Sequence, residues 1–232
     1  MSLFAPRPPD GDYDLSTMLP LLLNLLAQLG LSALTWGLVP GRLPIHWNIH
    51  GEIDGWAPSS TVLLFTPAIT AFLGLLLQIS PRWDPSLFST AAGRRAWTGM
   101  QHALPSFFTL IHVALVLEMD LPTLMIPALG ALIAALGFWM RDVPPNRILG
   151  FRLPWTLASD LAWVRTHSTV AKVWPVVGAL TLVCSLAGSG LALGVLMVGL
   201  IGSTVALTAL SARWWSEDPE RRPLWGPPTG RS

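Results

Sequence analysis

From Val173 to Ala212 the chain reads VWPVVGALTLVCSLAGSGLALGVLMVGLIGSTVALTALSA, a stretch without one Asp, Glu, Lys or Arg. A transmembrane helix needs about 20 apolar residues. The run is long enough for two, and Gly188-Ser189-Gly190 near its middle marks the break. It reads as a helical hairpin inside a membrane. The whole composition agrees, because 52% of the 232 residues are hydrophobic and 12% charged, where a soluble domain carries about 25% charge. Mean hydropathy is +0.54. A net charge of +1 gives no reason to expect direct binding of nucleic acid. The lone Cys184 rules out a disulfide framework and a CxxC metal site.

Four further apolar runs precede this one. The sequence predicts an all-α membrane protein: a six-helix transmembrane bundle with a small extracellular β-hairpin-like loop and a cytoplasmic interfacial helix. The predicted membrane domain covers 17–211, with spans at about 17–39, 61–79, 96–119, 122–140, 173–188 and 191–211. Residues 1–16 and 212–232 are tails, 40–60 one polar loop and 141–172 another. The run after the first tail is too long for a signal peptide and lacks a small-residue cleavage site, so it is an anchor.

Six spans put both termini on one side, and the basic residues say which. With the N-terminus inside, the inner segments hold Arg7, then Arg82, Arg94 and Arg95, then Arg141, Arg147, Arg152, Arg165 and Lys172, then Arg213, Arg221, Arg222 and Arg231. Arg42 alone lies outside. Under the positive-inside rule this predicts cytoplasmic termini, an outward-facing 40–60 loop and a cytoplasmic 141–172 segment.

The outer loop contains Pro44-Ile45-His46-Trp47-Asn48-Ile49-His50-Gly51-Glu52-Ile53-Asp54-Gly55-Trp56. Ile45, Trp47 and Ile49 alternate with His46, Asn48 and His50, the period of an extended strand with one apolar and one polar face. His50-Gly51 and Asp54-Gly55 are turn dipeptides, so the segment folds back as a hairpin. An ordered cap over the bundle would explain this much. A metal site on His46, His50, Glu52 and Asp54 has the right donor types, but four residues of strand hold His46 and His50 about 13 Å apart. No cofactor is expected.

Polar residues also interrupt the spans. Asn24, Gln28, Ser32 and Thr35 form one stripe on the first, and the third carries His102, Ser106 and Thr109 on one face, with His112 close to it. In lipid such groups face protein or a cavity, so they either bind helices together or line a pathway. Gly130, Ala134 and Gly137 on the fourth span allow close helix contact.

The inner segment reads Pro144-Pro145-Asn146-Arg147-Ile148-Leu149-Gly150-Phe151-Arg152-Leu153-Pro154-Trp155-Thr156-Leu157. Thr156 is a candidate N-cap, with Asp160 favouring the positive end of the helix that follows. Trp163 and His167, four apart, share a face of that helix. Trp155, Trp163 and Trp174 with Arg152 and Arg165 are residue types that prefer the membrane interface.

Together these loops resemble the SdpI-like proteins. Pro44 to Asn48 with Gly51 and Asp54 is similar to that family's outer signature. Asn146, Gly150, Arg152, Pro154-Trp155-Thr156-Leu157, Trp163 and Thr166-His167 are similar to its inner one. Leu153 stands where a Thr is usual, and Ser59-Ser60 where a Lys is common. The resemblance covers about 17–211 and implies a non-enzymatic immunity or signalling protein of the bacterial cytoplasmic membrane. Such a protein binds a secreted peptide toxin outside and recruits a cytoplasmic transcriptional repressor inside. It implies ligand-binding roles for His46, Trp47, Asn48, Gly51, Asp54 and Trp56, and partner-binding or structural roles for the inner signature. A small-solute or proton carrier using Asn24, Gln28 and His112 is the alternative, and a metal-dependent membrane enzyme a third.

Overall fold

The computed structural model describes residues 15–48 and 52–224. In a bilayer each backbone N–H and C=O must be satisfied within its own segment or a closed sheet, so apolar runs become helices. The helices are α1 (Leu15–Thr35), α2 (Ser59–Trp83), α3 (Ala91–Val116), α4 (Leu121–Trp139), α5 (Pro154–Leu157), α6 (Asp160–Ser185) and α7 (Ser189–Glu217). All but the single-turn α5 are long and apolar enough to cross a membrane. An antiparallel pair, β1 (Arg42–Trp47) and β2 (Ile53–Pro58), joins α1 to α2. The protein is a multi-pass helical membrane protein with one small two-stranded sheet.

Local chemistry sets several helix ends. Thr90 caps α3 by accepting from Gly93 N–H at 3.0 Å, and Pro122 occupies the first turn of α4, where a missing N–H costs nothing. Gly188, at φ +141°, makes the turn between α6 and α7, a backbone conformation that a side chain would oppose.

The spans pack as two groups of three. Helices α1, α2 and α3 contact one another, and α4, α6 and α7 do likewise, with α3 against α4 joining the groups. In the second group Gly130, Ala134 and Gly137 of α4 meet Gly178, Thr181 and Pro175 of α6. Small side chains let these backbones approach, which is what drives association when lipid removes the hydrophobic incentive. Two apolar clusters close the opposite ends. Leu43, Val62, Ala114, Leu115 and Leu121 pack under the hairpin. Phe88, Trp97, Met100, Met140, Trp163 and Val170 pack at the far end, beneath the 141–159 loop.

Four expectations need correction. The interfacial helix and fifth span are one continuous helix, α6, which starts at Asp160, not near Val173. Its N-cap is Ser159, which accepts from Ala162 N–H at 2.9 Å, rather than Thr156. The strict alternation that begins at Ile45 also fails within the described residues, because bulges flank His46. Pro44 has no N–H to give the ladder, the strand kinks there, and Leu43 becomes the fully buried anchor while Ile45 is 53% exposed. Asp54-Gly55 is no turn. It lies within β2, where Gly55 pairs with His46, and a Cβ there would sit 2.8 Å from that of His46.

Candidate functional site

At the loop end the inner segment is knotted to itself by buried polar groups. The Asn146 side chain is 3% exposed and uses both ends. Its oxygen accepts from Ile148 N–H and Leu149 N–H at 2.9 and 2.7 Å, and its amide donates to the carbonyls of Pro144 and Leu149. Thr156 Oγ1 donates to the Phe151 carbonyl at 2.6 Å and accepts from Leu153 N–H at 2.9 Å. Thr156 therefore ties the loop rather than capping a helix.

His167 closes the arrangement. Its Nδ1 lies 2.8 Å from the Trp163 carbonyl, so that nitrogen carries the proton, and Nε2 accepts from Phe151 N–H at 3.0 Å. The imidazole stacks on the Trp163 indole with centroids 4.0 Å apart, and the indole N–H donates to the Val143 carbonyl. Gly150, at φ +111°, passes directly over His167. Asn146, Thr156, Trp163 and His167 are thus buried and satisfied by the backbone around them, whereas Arg147, Arg152 and Pro154 are exposed.

Other elements fasten this loop from a distance. Asp84, at the end of α2, accepts from Arg147 N–H and from Ser86. Trp155 donates its indole N–H to Ser211 on α7, and Arg222 after α7 donates to the carbonyls of Leu157 and Ala158. Ser159 donates its hydroxyl to Asp218. That bond, with the Glu220 amide, holds the Asp218 carboxyl below the usual aspartate range against its burial. Asp84, Ser159, Ser211 and Asp218 were not singled out from sequence. Asp84-Pro85-Ser86 and Asp218-Pro219 carried turn signals and Ser159 an N-cap signal, while Ser211 carried none.

At the opposite end the hairpin offers polar groups to solvent. His46 Nδ1 and Asp54 Oδ1 pair across the strands, with side chains 69% and 44% exposed. The Asn48 oxygen accepts Glu52 N–H at 3.0 Å, and its amide donates to the Glu52 carboxylate at 2.9 Å. His50 and Gly51 lie outside the described residues. Among the described residues no three His, Cys, Asp or Glu side chains converge as a metal site. His46 with Asp54 is a pair, and Glu52 turns to Asn48. Trp47 packs on the bundle while Trp56 is 47% exposed. Beneath the hairpin lies an apolar cleft of about 620 Å³ between α2, α3 and the start of α4, lined by Trp47, Phe65, Ile69, Phe108, Ile111 and Met125, with His46 at its lip.

Between these ends the polar stripe of α1 is spent on its neighbours. Gln28 is fully buried and donates to Thr70 and Thr109 at 3.0 and 2.7 Å. Thr109 donates to the Asn24 oxygen at 2.7 Å. Ser32 donates to the Leu63 carbonyl at 2.8 Å and lies 3.1 Å from His112 Nε2. Asn24, Gln28 and His112 act together as interhelical bonds among α1, α2 and α3.

The SdpI/YfhL protein family model matches residues 142–212, which are the knotted loop, α6 and most of α7. A domain of unknown function, DUF1648, matches residues 23–71, which run from α1 through the hairpin into α2. Over these two segments the chain is similar to SdpI-like proteins. The two matches fall on different three-helix groups, and α3 and α4 lie in neither. No curated protein and no solved structure matches the SdpI-like chain.

Proposed function

We propose that this SdpI-like protein is a non-enzymatic receptor of the bacterial cytoplasmic membrane, with the hairpin outside and both termini inside. It confers immunity to, or signals the presence of, a secreted hydrophobic peptide. The observation that carries this reading is the hairpin itself: exposed, paired polar groups standing over an apolar cleft. An exposed His–Asp pair adds about 1 kcal/mol or less to stability, so the fold does not need His46 and Asp54 there. A peptide with apolar side chains fits the cleft and leaves polar backbone for His46, Asn48 and Asp54 to meet. The basic residues give the sidedness, with Arg42 alone at the hairpin end.

The test is resistance at matched abundance. Exchanging His46 or Asp54 for Ala leaves membrane levels and melting unchanged and lowers protection about tenfold or more, roughly 1.4 kcal/mol of lost binding. Full protection in the double variant at normal abundance contradicts the proposal.

Inside, the exposed Arg147 and Arg152 suit a cytoplasmic partner such as a transcriptional repressor, and the buried signature residues set the shape on which they stand. A continuous connection runs between the two ends. β2 passes into α2 without a linker, and α2 ends at Asp84, which holds Arg147 N–H. Asp84→Asn keeps the oxygen that accepts from Ser86 but can set an amide against Arg147 N–H. We expect that variant to keep resistance while the partner no longer responds to ligand, read as repressor release from membranes. Unchanged release would show that the signal does not travel through α2.

A further inference from the structure

Helix α3 carries a second polar face that neither the hairpin nor the inner loop uses. Thr98, His102 and Ser106 lie at successive four-residue intervals, and all three are exposed. None makes a side-chain hydrogen bond to another described residue. The inward-facing Thr66, Thr70, Thr109, Thr166 and Thr181 differ, because each donates to the carbonyl four residues back. His102 lies about 10 Å of helix beyond Arg95 and about 21 Å before Val116, which is hydrocarbon depth for a span of this length.

An imidazole, with a hydroxyl one turn to either side, is a costly surface to show to acyl chains. Ionisable groups in spans face protein or water. Phe108, Ile111 and Leu115 are the α3 residues that line the cleft beneath the hairpin, and His102 lies about 180° round the helix from Ile111. We propose that the polar face is the contact surface between two copies of this chain. The stripe is complementary to itself. His102 offers one N–H and one lone pair, and Ser106 one O–H and two lone pairs. In a two-fold contact, His102 of each copy meets Ser106 of the other, and the contact made by residue i with residue j is repeated by j with i. Hydroxyl and imidazole bonds across helices are among the forces that hold spans together. The small side chains of Thr98 and Ser106 allow the two α3 helices to approach. The proposal goes beyond the receptor reading and does not depend on which ligand the hairpin takes.

The test is disulfide trapping of the full chain in native membranes. Cys184 is replaced by Ser, and one cysteine is introduced by Thr98→Cys, which keeps both His102 and Ser106, or, separately, by Val198→Cys on α7, where the side chain is 74% exposed. Mild oxidation is expected to give a covalent dimer from Thr98→Cys at about tenfold the yield from Val198→Cys. Adding His102→Leu, which suits a lipid-facing surface, is expected to return the yield to the Val198→Cys level while leaving abundance intact. Equal yields from the two positions, or a yield unaffected by His102→Leu, would overturn the proposal. So would labelling of a separate Ser106→Cys variant by a membrane-impermeant maleimide, because the face would then line a water-filled crevice.

Discussion

Gly150→Ala is expected to destabilise the protein by about 3 kcal/mol, although it adds a single methyl to an exposed-looking loop. A non-glycine residue held at positive φ costs about 1–3 kcal/mol, and Gly150 sits at +111°. The new Cβ would lie 2.1 Å from His167 Nε2, so the ring must leave. With it goes the acceptor for Phe151 N–H and the stack on Trp163. A buried donor left unpaired costs about 1–3 kcal/mol more. Thermal melting in detergent should show a markedly lower midpoint and membrane abundance should fall. Arg152→Ala, on the solvent side of the same loop, should change neither. A melt for Gly150→Ala indistinguishable from the unmodified protein would mean that the loop is not held by His167.

That contrast bears on what a sequence signature means. Asn146, Gly150, Thr156, Trp163 and His167 look in sequence like a binding surface because they are polar, aromatic and clustered. Their positions show them spent on the backbone of their own loop and on one ring stack, as a frame for the exposed arginines. Periodicity placed Trp163 and His167 on one face, but it could not say that the face would turn inward over Gly150. The partners that fasten the loop lie 63, 56 and 59 residues away in the chain, as in Arg147 with Asp84, Trp155 with Ser211 and Ser159 with Asp218. Local pattern carries no information about such pairs.

The spans themselves were legible because long uncharged runs in a membrane have one outcome. The start of α6 was not. Arg165 and Lys172 made the stretch before Val173 look like an interfacial helix separate from the fifth span, yet long basic side chains can lie along a helix and reach the interface. The helix therefore begins thirteen residues earlier, at the cap chosen by Ser159. The hairpin was legible as a hairpin, but its register was not, because one proline in β1 shifts which side chain faces the bundle.

The close approach of α4 and α6 supplies the largest expected effect. Gly178→Leu should cost about 4 kcal/mol or more, since even a Cβ at that position would lie 2.3 Å from the Gly130 carbonyl oxygen and 2.7 Å from the Ala134 Cβ. Backbone cannot yield as a side-chain tip can, so the helices must separate along their whole crossing. Overpacking alone costs about 1–3 kcal/mol, and the contacts of Gly130 with Thr181 and of Gly137 with Pro175 would loosen as well. In lipid no hydrophobic gain offsets this loss, because packing is the main term that holds spans together. The matched control is Gly194→Leu on α7, where a Cβ would meet nothing within 4 Å, and which should be close to neutral. Melting of both variants in the same detergent decides the matter. If Gly178→Leu proves as benign as Gly194→Leu, then small residues do not set the α4–α6 distance, and the loop that α6 presents at its start rests on some other support.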